Sequence, residues 1–131
     1  MASSTAAKLL LKPGGRLWLA DPSRAPLLGA LPDGASVVAD PAGADVAIVF
    51  VGSAGEVETA VEPRLERLRE VPVLWVAYPK GGRADVNRDS LWPRLAPYGL
   101  RPITQVAIDD TWSALRFRPL RPDEPPFTGG R

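Results

Sequence analysis

Residues 46–51, VAIVFV, and residues 71–78, VPVLWVAY, are unbroken apolar runs rich in β-branched side chains. A strand with one face in water alternates polar and apolar residues, whereas a strand covered on both faces has no polar phase. Both runs therefore read as strands at the centre of a sheet, with helices packed above and below, and both are far too short to span a bilayer. Between them Val57, Val61, Leu65 and Leu68 recur at intervals of four, four and three, which is one face of a helix. Pro63 falls inside that pattern, where it removes a backbone donor and clashes with the preceding turn, so a break is expected near Glu62. Ser53 and Glu56 have capping-box spacing at the start of this helix.

The remaining segments alternate in the same way. A short helix capped by Ser4 or Thr5 is expected over residues 6–12, stopped by Pro13 and Gly14, with a strand at residues 16–21, RLWLAD, after it. Residues 26–31 read as a weak helix, Pro32-Asp33-Gly34 as a turn and residues 36–40, SVVAD, as a second strand. Asp89 is expected to cap a helix over residues 90–98 that Gly99 ends. Residues 102–109 and 112–120 then form an antiparallel hairpin around Asp109-Asp110-Thr111. Strands alternating with helices require parallel neighbours joined by right-handed crossovers. The expected fold is α/β, a Rossmann-like three-layer domain over residues 1–120. Its mostly parallel sheet has about six strands in spatial order 2-1-3-4-6-5 and ends in the antiparallel hairpin. The tail from Arg121, RPDEPPFTGGR, is rich in Pro and Gly and is expected to be disordered.

Composition narrows the chemistry more than it identifies it. At 131 residues, 45% hydrophobic and 24% charged, the chain is expected to form one soluble domain with one core. Basic and acidic residues number four and three over residues 1–40, seven and eight over 41–100, and five and four over 101–131, so no segment is a basic arm. That even spread argues against nucleic-acid binding unless folding gathers arginines on one face. The absence of Cys and His removes thiol nucleophiles, disulfides, imidazole bases and the usual zinc sites, and no metal is expected. The start MASSTAAKLLLK has only three apolar residues between its lysines, unlike a signal peptide or anchor, and the expected location is cytoplasmic.

A nucleotide or S-adenosylmethionine site in such a fold ordinarily has a glycine-rich turn after the first strand. Here the turn is Asp21-Pro22-Ser23-Arg24-Ala25-Pro26, with two prolines and no glycine, while Gly14 and Gly15 precede the strand. No P-loop pattern occurs either. No cofactor is expected on this ground, S-adenosylmethionine and NAD both being disfavoured. LLLKPGGRLWLAD is nevertheless similar to a helix-to-strand segment of class I methyltransferases, and residues 46–120 resemble the closing half of that fold. LKPGGRLWLADP, ADVAIVFVGSAGEVE, VLWVAYPKGG and AIDDTWSALRFRP together resemble the bacterial domain of unknown function 3052 family. That family is marked by KPG near the start, a strand ending in W-P-K and a closing D-x-x-W-S. Tyr78 stands where the pattern has Trp, and the resemblance spans roughly residues 9–119. It implies the fold and a cytoplasmic location, and no activity.

Ligands of open α/β sheets bind outside the carboxyl ends of the strands, near the point where strand order reverses. The expected order brings Asp21, Ser53 and Lys80 to that edge, with Asp40 at the end of the second strand. Lys80 beside Gly81 and Gly82 could meet a small anion within flexible backbone donors. A solvated loop lysine competes with that role, turn formation competes for Asp21, and helix capping for Ser53. Asp109 and Asp110 suit a hairpin turn, Trp18, Trp75, Trp92 and Trp112 suit the core, and Arg116 and Arg118 share one face of the last strand. The function these residues suggest is a non-catalytic small-ligand-binding or regulatory module. The alternatives are a protein-interaction domain or homodimer through the hairpin, and an enzyme working through Lys or carboxylates.

Overall fold

In the computed structural model, residues 5–80 and 85–125 are described. Six strands form one sheet: β1 (Arg16–Leu19), β2 (Ser36–Val38), β3 (Val46–Phe50), β4 (Val73–Pro79), β5 (Leu100–Ala107) and β6 (Trp112–Pro119). Their spatial order is β2-β1-β3-β4-β6-β5, as the alternation of elements predicts. The β2-β1-β3-β4 ladder is parallel, and β6 enters antiparallel between β4 and β5. In β3, Val46, Ala47, Ile48 and Val49 are buried, consistent with a strand covered on both faces. Ala47, Val49 and Val51 pack with Val57, Val61 and Leu68 on one face, while Val46 and Ile48 pack with Leu9, Leu28 and Trp75 on the other.

Pro63 breaks the long helical pattern where its missing donor requires. Helix α2 (Glu56–Val61) gives way to a 3-10 turn over Glu62–Arg64, and α3 (Leu65–Glu70) resumes. The first helix, α1 (Thr5–Lys8), is shorter than expected. Leu10 adopts a left-handed φ of 74°, and the amides of Leu10 and Leu11 donate to the carbonyls of Ala7 and Ala6, closing a Schellman motif before Pro13 is reached. The weak helix expected over residues 26–31 is instead a 3-10 helix at Pro22–Leu28, its Pro26 lacking the donor an α-helix would use. Asn87, not Asp89, caps α4 (Arg88–Leu95), its side chain accepting from the amides of Asp89 and Ser90.

Of the expected disordered tail, residues 121–125 are described, and Glu124 ties them to the hairpin. Its carboxylate accepts from Arg101 at 2.5 Å, from Arg118 at 2.7 and 2.8 Å, and from the Arg121 amide at 3.0 Å. Among the described residues no helix is long and apolar enough to cross a membrane.

Candidate functional site

Strand order reverses at β1, which has β2 on one side and β3 on the other. The carboxyl ends of β1 and β3, with the adjoining ends of β2 and β4, are therefore where a ligand crevice belongs. Asp21, Ser53 and Lys80 follow the ends of β1, β3 and β4, at the edge the sequence assigned them. Among the described residues no hydrogen bond or ion pair joins these three, and local structure occupies two of them.

Asp21 caps the 3-10 helix, its Oδ1 accepting from the Ser23 hydroxyl at 2.6 Å and the Ser23 amide at 3.2 Å. The Ser23 hydroxyl, above all, holds the Asp21 carboxyl below its ordinary value, with Arg24 adding to the effect. Ser53 does not cap α2. Glu56 instead reaches back to accept from the Gly52 amide and the Ser53 hydroxyl, and Asp85, from 31 residues away, accepts the Ala54 amide. Lys80 is fixed through its backbone, whose amide donates to the Thr111 carbonyl at 2.8 Å. Gly81 and Gly82 lie outside the described residues. Asp109 serves the hairpin turn by accepting the amides of Thr111 and Trp112. Burial pushes the Tyr78 phenol, at the end of β4, above its ordinary value, so it stays protonated.

Two features of this edge were not singled out from the sequence. The first is a cleft of about 390 Å³ between the ends of β1 and β2, lined by Trp18, Ala20, Asp40, Pro63, Arg64 and Arg67. Asp40 lines this cleft, and one of its oxygens accepts the Ala42 amide at 2.8 Å. Arg64 lies over the Trp18 ring at 5.3 Å, so the break that Pro63 makes in the helix also delivers the cation that walls the cleft. The second feature is an aromatic corner. Phe50 and Trp112 meet edge to face at 5.4 Å, and the Arg24 guanidinium lies 4.9 Å from the Trp112 centroid and 6.0 Å from that of Phe50. Residues from three elements build this corner, so no local pattern announces it. Its one local signal is Asp21 three residues before Arg24 in a proline-bounded turn.

No protein-family model matches the sequence. No curated protein matches it either. Solved structures do resemble it. A protein of the NADB-Rossmann superfamily from Streptococcus agalactiae is 11% identical, with 92% of this chain and 69% of that one covered and a TM-score of 0.57. A putative tRNA (m1A22) methyltransferase from Streptococcus pneumoniae, in complex with S-adenosyl-L-methionine, is 11% identical, with 92% and 74% covered and a TM-score of 0.54. An uncharacterized protein from Listeria monocytogenes is 10% identical, with 98% and 72% covered and a TM-score of 0.57.

At these identities the likeness establishes the Rossmann-like fold, and it corrects two expectations. The fold is shared with methyltransferases, one of them holding S-adenosyl-L-methionine, so the reading as a non-catalytic module with no cofactor does not stand. That reading leaned on the missing glycine turn. The likeness also reaches beyond the closing half of a methyltransferase fold, since it covers nearly the whole chain.

Proposed function

We propose that this chain is an S-adenosyl-L-methionine-binding domain of methyltransferase type, with the adenosyl end of the ligand in the cleft between β1 and β2. The observation that carries the reading is Asp40. It lies two residues beyond the end of β2, beside the point of strand reversal, with one carboxylate oxygen held by the Ala42 amide, and it lines the cleft. A carboxylate there is placed to accept hydrogen bonds from ribose hydroxyls. The turn after β1 does not offer a phosphate site, because the Ser23 and Arg24 amides donate to Asp21. That favours a ligand whose adenosine carries no phosphate.

Bound there, the cofactor supplies a methyl group activated by a positive sulfur. Transfer then depends chiefly on positioning, and a base is needed only where the acceptor must lose a proton. The absence of His and Cys is thus no obstacle to this chemistry. Arg64 and Arg67 gather positive charge at the cleft, which the even spread along the sequence concealed. A tRNA, the acceptor named for the neighbouring structures, is the first acceptor to assay, and a cytoplasmic location goes with it. Membership of the domain of unknown function 3052 family belongs to the same reading, supported by the four sequence segments alone.

Titration calorimetry of the full chain with S-adenosyl-L-methionine and with its demethylated product is the test. Both ligands are expected to bind, and Asp40→Ala to weaken both by about tenfold or more, the loss of one charge-assisted hydrogen bond. No heat from either ligand at millimolar concentration, or equal affinity in Asp40→Ala, overturns the assignment.

A further inference from the structure

The aromatic corner lies where β3 ends and β6 begins, on the core of one sheet face, and is no part of the cleft. Trp112 opens β6 beside Pro79, the last residue of β4, and Phe50 ends β3. A guanidinium covers this pair instead of an aliphatic side chain. Aromatic faces carry negative charge density, so a site of this kind attracts a desolvated cation.

Arg24 is held there weakly. Its Nε faces the Asp21 carboxylate at 3.4 Å without closing a hydrogen bond, and the pair is more than a third exposed on each side. The carboxylate is more tightly engaged by Ser23. Arg24 also sits on a single 3-10 segment between two prolines rather than on a long helix. The corner and the cleft share the carboxyl edge of β1 and β3, where the Ala20 amide donates to Ile48, two residues before Phe50, but Trp18 of the cleft packs on one face of the sheet and Phe50 and Trp112 on the other.

We propose that the Phe50–Trp112 corner is a binding platform for the positively charged group of the ligand, and that Arg24 occupies it as a built-in competitor. The inference rests on the proposed adenosyl site and adds the element that separates a sulfonium ligand from its neutral thioether product. With Arg24 in place the platform is filled by the protein's own cation. A ligand cation must displace it, whereas the neutral product has no such competition.

The test follows the tryptophan indole signals of the ¹⁵N-labelled full chain, that of Trp112 being identified by its loss in Trp112→Phe. Trimethylsulfonium, S-adenosyl-L-methionine and S-adenosylhomocysteine are titrated into the wild type and Arg24→Gln. Arg24→Gln is expected to bind both sulfonium ions about fivefold more tightly, with movement of the Trp112 signal, and to bind the thioether as the wild type does. Phe50→Leu, which removes half the platform, is expected to weaken both cations. Unchanged cation affinity in Arg24→Gln, or an equal gain for the neutral thioether, overturns the proposal. Adenosyl binding without any Trp112 response overturns it while leaving the cleft assignment intact. A trimethylsulfonium response at Trp112 without adenosyl binding supports the platform and refutes the cleft.

Discussion

Trp75→Phe isolates one contact that ties the first helix to the sheet. Trp75 lies in β4, fully buried, and its Nε1 donates to the Leu9 carbonyl at 2.9 Å across 66 residues of sequence. That carbonyl belongs to the Schellman turn ending α1, where helix carbonyls otherwise lack partners. Phenylalanine keeps an aromatic ring in the slot but removes the donor. A buried carbonyl left unpaired costs about 1–3 kcal/mol. The smaller ring leaves roughly 35 Å³ unfilled, which at about 24 cal/mol per Å³ adds about 1 kcal/mol. The expected loss is about 2–4 kcal/mol, or a melting point lower by roughly 10 °C for a domain of this size. Urea unfolding followed by far-ultraviolet circular dichroism reads it without relying on the lost tryptophan. The midpoint should fall with the slope unchanged, because the native surface is nearly the same. A loss below about 0.5 kcal/mol would refute the reasoning, since it would mean that water or another donor already serves the Leu9 carbonyl.

Two further predictions concern the hairpin end of the domain. Arg118 foremost, with the Arg121 amide and Arg101, holds the Glu124 carboxyl well below its usual value of 4.5. A carboxyl whose folded pKa is depressed adds stability that is present above 4.5 and is lost as pH falls toward the folded value. Melting points measured from pH 6 downward should therefore decline less steeply below about pH 4.5 in Glu124→Gln than in the wild type, and parallel acid limbs would refute this. Gly99 has a φ of 76°, and a Cβ there would lie 3.0 Å from Nη1 of Arg69, whose guanidinium donates to the Tyr98 carbonyl. Gly99→Ala should cost about 1–2 kcal/mol in chemical denaturation, and a neutral or stabilising result would contradict the left-handed turn.

The parts of the fold visible in the sequence are those set by local periodicity. Unbroken apolar runs mark β3 and β4, Pro63 marks the helix break, and the alternation of elements is enough to order the strands. What escaped the sequence depends on partners far along the chain. Asp85 reaches the start of α2, Glu124 gathers two arginines and an amide of the hairpin region, and Arg24 crosses to Trp112 of β6. None of these has a spacing that could be read in advance. Topology brings Asp21, Ser53 and Lys80 to the carboxyl edge of the sheet, while Arg24, Arg64 and Arg67 were not singled out from the sequence. Asp21 and Ser53 are taken up by capping and turn contacts, while Asp40, expected at the same edge, lines the cleft.

The position of β6 has a consequence for how this molecule is made. β6 lies between β4 and β5, and among the described residues β5 has no other strand beside it. During synthesis β5 leaves the ribosome before the strand that must join it to the rest. Until residues 112–119 follow, β4 remains an edge with Leu74, Val76 and Ala77 unprotected, and β5 has nothing to pair with. At a translation rate of about 5–20 residues per second, that interval is short but real. The final strand thus acts as the closing stitch of the sheet, and a nascent chain halted before it would present the cell with an open β edge.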